Sequence, residues 1–183
     1  MGRGYDVLVG FSGNLEITVI FDPDKTSIKG SADEIDITVG GTSLDLGFGL
    51  HALGKSVKVL LTTGANEKDG WRDMLELSLS EASVDHRILR VREFTSRAVI
   101  SLPRGIRQSI RGVKGPYLRF PVQEVKEELR LTQPRIRAVT GAQGVEIPLI
   151  EAMFSPTNGN GITVLNPRED LIKHHDFPAI IEK

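Results

Sequence analysis

The chain has 183 residues, of which 39% are hydrophobic and 26% charged, a balance typical of a globular domain. Lys and Arg number 23 against 24 Asp and Glu, so overall charge cannot drive binding to nucleic acid or anionic membranes. The absence of cysteine excludes disulfide scaffolds, thiolate metal sites and cysteine nucleophiles. No apolar run approaches the ~20 residues of a membrane helix, and residues 1–6 contain no apolar signal region. We therefore expect a cytoplasmic protein without membrane contact.

The first part of the chain alternates between predicted strands and helices. Apolar or β-branched segments predict strands over 7–9, 17–21 and 35–39. A glycine-rich helix is predicted over 42–53. Its glycines are expected to allow close packing against a sheet. A strand over 57–61 follows this helix.

The second part begins with an amphipathic helix over 67–82, after which no helix pattern occurs until 120. Three short strands are predicted over 86–91, 98–102 and 108–112, with a hairpin turn at 103–105, and are interpreted as an antiparallel meander. The remaining elements are a helix over 122–131, a strand over 136–139, a helix over 145–154 and a strand over 162–165. Strands separated by helices indicate parallel βαβ units.

A glycine pair, Gly40-Gly41, lies between a predicted strand and a predicted helix. Without a Cβ, such residues let a ligand approach the backbone closely, and a helix N-terminus offers free N–H groups. Asp45 lies about one turn inside this helix. From the pattern alone, a ligand site and a plain tight strand-to-helix turn are equally favoured.

Several segments resemble the ribokinase-like (PfkB) carbohydrate kinases. Residues 40–54 resemble the first signature of that family, a Gly-Gly pair followed by a helix ending in Leu-Gly, with Asp45 at the position of the family's Asn. Residues 9–16 resemble the opening strand, with Glu16 at the position of a substrate-binding Asp. Further segments resemble family motifs in the right order: 63–70, 82–85, 95–98, 140–141 and 164–167. The resemblance covers nearly the whole chain.

The resemblance implies an α/β fold, a doubly wound and mostly parallel sheet with a small antiparallel β lid. It implies one domain over 1–183, a ribokinase-like domain incomplete at its C-terminus, with lid strands over about 14–21, 33–39 and 86–112. In this family the lid covers the sugar and often mediates dimerisation, so a homodimer through the lid is expected.

The resemblance also implies which residues bind a sugar or nucleoside. By position these substrate-binding residues are Asn14, Glu16, Gly40, Gly41 and Asp45. Carboxylates accept strongly from sugar hydroxyls, whereas the family's Asn both donates and accepts. Two carboxylates in one site repel each other, which raises a pKa.

The implied reaction is transfer of the ATP γ-phosphoryl group to a substrate hydroxyl, with Mg²⁺ on the phosphates. The family's catalytic Asp belongs to a Gly-Ala-Gly-Asp segment, and no Gly-x-Gly-Asp string occurs in this sequence. We therefore expect the N-terminal part of such a kinase, without a catalytic residue, inactive alone and binding neither ATP nor Mg²⁺ tightly. The alternative is a non-catalytic small-molecule-binding or dimerisation module of the same fold.

A basic stretch and a histidine pair complete the candidates. Residues 97–119 contain six basic residues and no acidic one: Arg97, Arg104, Arg107, Arg111, Lys114 and Arg119. A solvated hairpin face is favoured over a site for an anionic substrate or nucleic acid, because only two aromatic residues lie nearby for base stacking. His174-His175-Asp176 is interpreted as a tail or loop, because adjacent side chains rarely converge on one metal ion.

Overall fold

The computed structural model describes residues 4–21, 33–103, 109–156 and 161–178. Two basic residues of the 97–119 stretch, Arg104 and Arg107, and most of the predicted turn at 103–105 lie outside these ranges. The strands are β1 (Val7–Phe11), β2 (Asn14–Phe21), β3 (Glu34–Gly40), β4 (Val57–Gly64), β5 (Asp85–Arg92), β6 (Arg97–Pro103), β7 (Ser109–Val113), β8 (Ile136–Ala142) and β9 (Ile162–Pro167). The helices are α1 (Thr42–Ala52), α2 (Gly70–Glu81), α3 (Val122–Thr132), α4 (Ile147–Phe154) and α5 (Glu169–Ile172), with a 3₁₀ turn at Gly144–Glu146 before α4.

The main sheet has five parallel strands in the order β5-β4-β1-β8-β9. The chain starts in the middle at β1, builds outward to β4 and β5, and then returns to the other side of β1 for β8 and β9. Every residue of β1 is buried, as expected of a central parallel strand covered on both faces. The strand order reverses between β1 and β8, which is where ligands bind in open α/β sheets.

Helices cover both faces of this sheet, which confirms the doubly wound prediction. On one face, α1 and α2 pack Leu44, Leu75 and Leu79 against Val7 and Val9 of β1. On the other face, α3, α4 and α5 pack against the opposite side of the sheet through six apolar side chains, Val125, Leu129, Leu149, Ile150, Met153 and Leu171. Within the described ranges no helix has the length and apolar character needed to cross a bilayer.

A second sheet of four strands, the lid, has the order β3-β2-β6-β7 and is mixed. β2 pairs antiparallel with β3, and β6 with β7, whereas β2 and β6 run parallel. The parallel pair has a simple cause. β2 follows β1 and β6 follows β5, so both lid strands leave the same edge of a parallel sheet in the same direction.

The predicted lid range of 86–112 is wrong at its start, because β5 pairs parallel with β4 in the main sheet. Leu89 and Val91 are buried on one face of that sheet, so β5 is a covered strand. The polar residues among these apolar ones made β5 resemble an exposed strand in the sequence. Two of them, Arg87 and Arg92, pair with Glu128 and Glu146 at 2.8 and 2.9 Å.

The second helix begins at Gly70, three residues later than the predicted start at 67. The Asn66 side chain accepts a hydrogen bond from the Lys68 amide at 2.9 Å, which forms a turn in place of the first helical residues. Asp69 then precedes the helix and is buried. Burial alone raises the pKa of Asp69, but hydrogen bonds from Thr95 and from backbone amides near the start of α2 lower it overall. Asp69 thereby joins α2 to the segment that leads into the lid.

Candidate functional site

A cleft of about 590 Å³ lies between the lid and the carboxyl edge of the main sheet. It is located where the chain leaves β1 for the lid, so Ser12 and Gly13 form part of its lining. The other described lining residues come from β2, the start of α1, β4, β5, β6, β7 and the segments after β7, β8 and β9. The cleft therefore lies at the reversal in strand order.

Two of the expected site residues, Asn14 and Glu16, project from β2 into this cleft. They are two residues apart, so they share one face of the strand, while Leu15 between them is fully buried on the other face. The Asn14 Nδ2 atom donates to Glu16 Oε1 at 3.1 Å. This bond leaves the Asn14 amide oxygen and the second Glu16 oxygen as acceptors for ligand hydroxyls.

The glycine pair lies directly against these side chains. A Cβ on Gly40 would come within 2.4 Å of the Glu16 carboxyl carbon. Gly41 has a φ of +108° and lines the cleft, and a Cβ there would approach Asn14 Oδ1 to 2.6 Å. Both positions therefore require glycine for close approach, and only the second also requires it for its backbone conformation.

Buried hydroxyl groups anchor the start of α1 beneath the cleft. The Ser43 side chain is fully buried and accepts a hydrogen bond from the Ser12 amide at 3.0 Å. Its oxygen also lies 3.0 Å from the Thr140 Oγ1 atom of β8. Thr42 closes over Gly141, whose φ of +63° and missing Cβ make room for the Thr42 hydroxyl. These contacts hold three segments together at the carboxyl edge of the main sheet: 12–13, 42–43 and 140–141.

Asp45 lies at the margin of the cleft. It is exposed in the first turn of α1 and is not among the lining residues. Although Asp45 is largely exposed, partial burial of its carboxyl group, followed by the neighbouring negative charge of Glu16, raises the pKa of Asp45 above its ordinary value. The repulsion expected between these two carboxylates is therefore present.

A buried ion pair, which sequence reasoning did not anticipate, supports the opposite side of the cleft. Arg92, at the end of β5, lines the cleft and pairs with Glu146 at 2.9 Å, with both side chains about 95% buried. The same guanidinium donates to Thr62 Oγ1 at 3.0 Å and to the Gly115 carbonyl at 2.7 Å. It also stacks 3.8 Å from the centre of the Tyr117 ring. All its donor nitrogens are therefore used within the protein.

The basic stretch divides between the cleft and the surface. Arg97 and Lys114 line the cleft. Arg111 and Arg119 are exposed, and Arg119 pairs with Glu124 at 2.5 Å. Arg97 is exposed as well, so the solvated-face interpretation fits Arg97, Arg111 and Arg119, whereas Lys114 is half-buried. Arg168, immediately after β9, also lines the cleft. The sequence feature that could have identified Arg168 as a lining residue is its position directly after the carboxyl end of a parallel strand.

The histidine pair converges more than its sequence spacing suggested. The ligand atoms of His174, His175 and Asp176 all lie within 4.8 Å of one another, after α5. His175 and Asp176 are exposed, and the two imidazole rings stack at 4.4 Å. None of the three lines the cleft.

Comparison with solved structures identifies the fold. A microbiome-derived acarbose kinase, Mak1, aligns over 97% of this chain and 67% of its own, with 16% identity and a TM-score of 0.70. A nucleoside kinase of Methanocaldococcus jannaschii aligns over 99% of this chain and 58% of its own, with 15% identity and a TM-score of 0.66. Phosphofructokinase-2 of Escherichia coli, in complex with fructose-6-phosphate, aligns over 93% and 57%, with 14% identity and a TM-score of 0.68. The chain has the ribokinase-like fold.

The ribokinase-like neighbours are carbohydrate kinases, and the fold matches them at low sequence identity. No family model matches the sequence, and no curated protein sequence does. The chain spans 58% and 57% of the lengths of the nucleoside kinase and of phosphofructokinase-2. The ribokinase-like sheet and its lid are therefore present here over somewhat more than half the length of these neighbours.

Proposed function

We propose that this chain is the substrate-binding and lid portion of a carbohydrate kinase, acting on a sugar or nucleoside. The intact enzyme would transfer the γ-phosphoryl group of ATP to a substrate hydroxyl. The observation that carries the proposal is the cleft itself, in which paired polar side chains and a Cβ-free backbone meet at the strand-order reversal of a ribokinase-like sheet. We propose residues 1–183 as one such domain, and a cytoplasmic location, where ATP is available.

In this proposal Asn14 and Glu16 accept hydrogen bonds from substrate hydroxyls, and the fixed pair holds the substrate in one orientation. Gly41, which lines the cleft, lets the substrate approach the backbone at the start of α1, and Gly40, which is not among the lining residues, leaves room for the Glu16 carboxylate. Asp45 adds negative charge at the margin. The lid covers the bound substrate and excludes water from it.

The described lining of the cleft offers few oxygen ligands for Mg²⁺. Glu16 is the one carboxylate among the described lining residues, and it is already bonded to Asn14. Mg²⁺ in kinases is held by carboxylates together with substrate phosphates. We therefore propose that the chain alone binds neither ATP nor Mg²⁺ tightly and transfers no phosphoryl group.

The test is calorimetric titration of the chain with a panel of sugars and nucleosides. For any ligand that binds, Glu16→Gln is expected to weaken the affinity by about tenfold or more, because a charged acceptor is lost. Asp45→Ala should weaken it less, since Asp45 lies outside the lining. Glu34→Gln, at an exposed acid in the adjacent lid strand, serves as the matched control. Equal affinities for Glu16→Gln and Glu34→Gln, or a panel without any binder, would contradict the proposal.

A second candidate, dimerisation through the lid, has its own support. Strand alternation places Ile35, Ile37, Val99 and Val113 on the lid face opposite Asn14 and Glu16. These four side chains are 62%, 45%, 40% and 62% exposed in the single chain. A clustered, exposed aliphatic face is typical of a protein interface. We therefore propose a homodimer in which the lids pack through this outer face.

Ile37→Asp is expected to convert such a dimer to a monomer, because a carboxylate would be buried between two apolar faces. The mass in solution is measured by light scattering over a dilution series. Leu131→Asp, on the far side of the molecule and 48% exposed in the parent, is the control. A parent chain that is monomeric at all concentrations, or a dimer unaffected by Ile37→Asp, would reject the lid interface.

A further inference from the structure

The wall of the cleft opposite Asn14 and Glu16 carries an excess of positive charge. The described lining residues of the whole cleft include one carboxylate, Glu16, and four basic side chains: Arg92, Arg97, Lys114 and Arg168. The net charge of the chain is −1, so this local excess does not reflect the overall composition. A site for an uncharged polyol has no need of such a wall.

Arg92 does not account for this excess, because its charge is compensated within the protein. It pairs with buried Glu146, whose Oε1 also accepts from the Tyr117 hydroxyl at 3.1 Å. The other oxygen of Glu146 accepts from the Gln143 amide at 3.0 Å. This ion pair and these hydrogen bonds of Glu146 therefore involve Arg92, Tyr117 and Gln143, and not Lys114.

Lys114 is a second cation in the lining of the cleft, and it is half-buried. Within the described part of the chain, it has neither a hydrogen bond nor an ion pair, although it is only partly exposed. Burial lowers the pKa of Lys114; the charge of Glu146 opposes this, and the positive charges of Arg92 and Arg168 add to the lowering. The other nearby acid, Asp170, accepts from the Gly144 amide at 3.1 Å. A half-buried ammonium group is therefore held among other cations without a bonded carboxylate.

Arg97 and Arg168 are likewise without a carboxylate partner among the described residues. The Arg97 guanidinium lies 5.1 Å from the centre of the Phe94 ring and 5.9 Å from that of Trp71. Such contacts orient the guanidinium without neutralising its charge. Arg168 is exposed and close enough to Lys114 to influence its pKa. Lys114 and Arg168, from two segments of the chain, thus line one cavity without a bonded carboxylate among the described residues, whereas Arg97 reaches only its rim from the outer face of the lid.

We infer that the substrate of this cleft is a sugar derivative carrying a negatively charged group, a phosphate or a carboxylate, which lies against Lys114 and Arg168 while its hydroxyls meet Asn14 and Glu16. This inference rests on the proposed function and specifies its substrate class. An anion there makes charge-assisted hydrogen bonds with groups that the fold leaves unsatisfied. The volume of about 590 Å³ is within the range of small-molecule sites.

The experiment titrates the chain with matched ligands that differ by one charged group. The pairs are fructose with fructose 6-phosphate, ribose with ribose 5-phosphate, and glucose with gluconate, together with inorganic phosphate alone. At least one charged member is expected to bind about tenfold or more tightly than its neutral partner. The phosphate and carboxylate arms show which anion is preferred.

The variant that tests the residue assignment is Lys114→Met, which should remove the preference for the charged member over its neutral partner. Lys114→Arg, which keeps the charge, should retain the preference. Arg111→Met is the matched control, because Arg111 is an exposed cation on β7 outside the lining. Thermal unfolding of each variant verifies that the fold is intact.

Three outcomes overturn the inference and are distinguishable. If neutral and charged members bind alike, the inference fails and the proposed function stands. If inorganic phosphate binds as tightly as any phosphosugar, the site recognises the anion alone. The inference that its ligand is a charged sugar derivative then fails. If no member of any pair binds, both the inference and the proposed function fail.

Discussion

Replacing Arg92 by methionine is expected to lower the free energy of unfolding by about 3–5 kcal/mol, the largest loss of stability anticipated for a single side chain here. The loss of stability comes from Glu146, which would remain in place without its ion-pair partner. Glu146 would keep its charge in a site about 95% buried, where its ion pair with Arg92 at 2.9 Å is the compensating interaction. Thr62 and the Gly115 carbonyl would also lose donors.

The double variant Arg92→Met with Glu146→Leu separates this cause from lost packing. Removing both charges should recover much of the stability, because an apolar pair of similar volume replaces a buried ion pair at little cost. Denaturant unfolding measures all variants. Arg119→Met, which breaks an exposed pair with Glu124, is the control and should cost about 1 kcal/mol or less. A double variant as unstable as Arg92→Met would show that packing, and not the unpaired acid, dominates.

The parallel sheet could be predicted because its signals are local. Central strands such as β1 and β4 are continuous apolar runs, and helix patterns lie between them. The fifth strand was misassigned because Arg87 and Arg92 flank its apolar residues and make it more polar than β1 or β4. Their partners, Glu128 and Glu146, lie 41 and 54 residues further along the chain. A buried ion pair at such separation leaves no mark in a local pattern.

The candidate site was predictable on one side only. Asn14, Glu16 and Gly41 line the cleft; the sequence marks Gly41 by the glycine pair, whereas Asn14 and Glu16 were assigned through the resemblance to the ribokinase-like kinases. The basic wall could not be located, because Lys114 and Arg168 meet only through the crossing of the lid and the main sheet. Charge counting along the chain found an excess over 97–119 but not which of its members face inward.

The glycines of α1 also differ in a way that the sequence could not predict. Gly47 fits the expectation of close packing, since a Cβ there would come within 2.6 Å of Val59. Gly49, two residues later, has nothing within 4 Å of the corresponding position. Its presence lowers helix stability without a packing benefit. Which glycine faces the sheet depends on the rotation of the helix, and the sequence alone did not determine that rotation.

Gly41→Ala is expected to abolish ligand binding and to lower the free energy of unfolding by about 1–3 kcal/mol. The backbone at φ +108° is unfavourable for alanine, and the new methyl group would lie 2.6 Å from Asn14 Oδ1 and 3.2 Å from the Ser12 carbonyl. Relief of this overlap moves Asn14, which then no longer holds Glu16 through their 3.1 Å hydrogen bond. The binding loss should therefore exceed that of Glu16→Gln.

Gly49→Ala provides the matched comparison, because it makes the same chemical change inside α1, the helix that Gly41 immediately precedes. It should raise the free energy of unfolding by about 1 kcal/mol and leave binding unchanged, since the added methyl group meets open space. Calorimetry on a ligand of the parent chain and denaturant unfolding measure the two effects separately. If Gly41→Ala bound that ligand as tightly as Gly49→Ala does, the close approach of backbone to substrate at this glycine would be refuted. A loss of binding that exceeds the loss of stability would instead locate the effect in the cleft, because destabilisation by a few kcal/mol leaves a protein of ordinary stability folded at 25 °C.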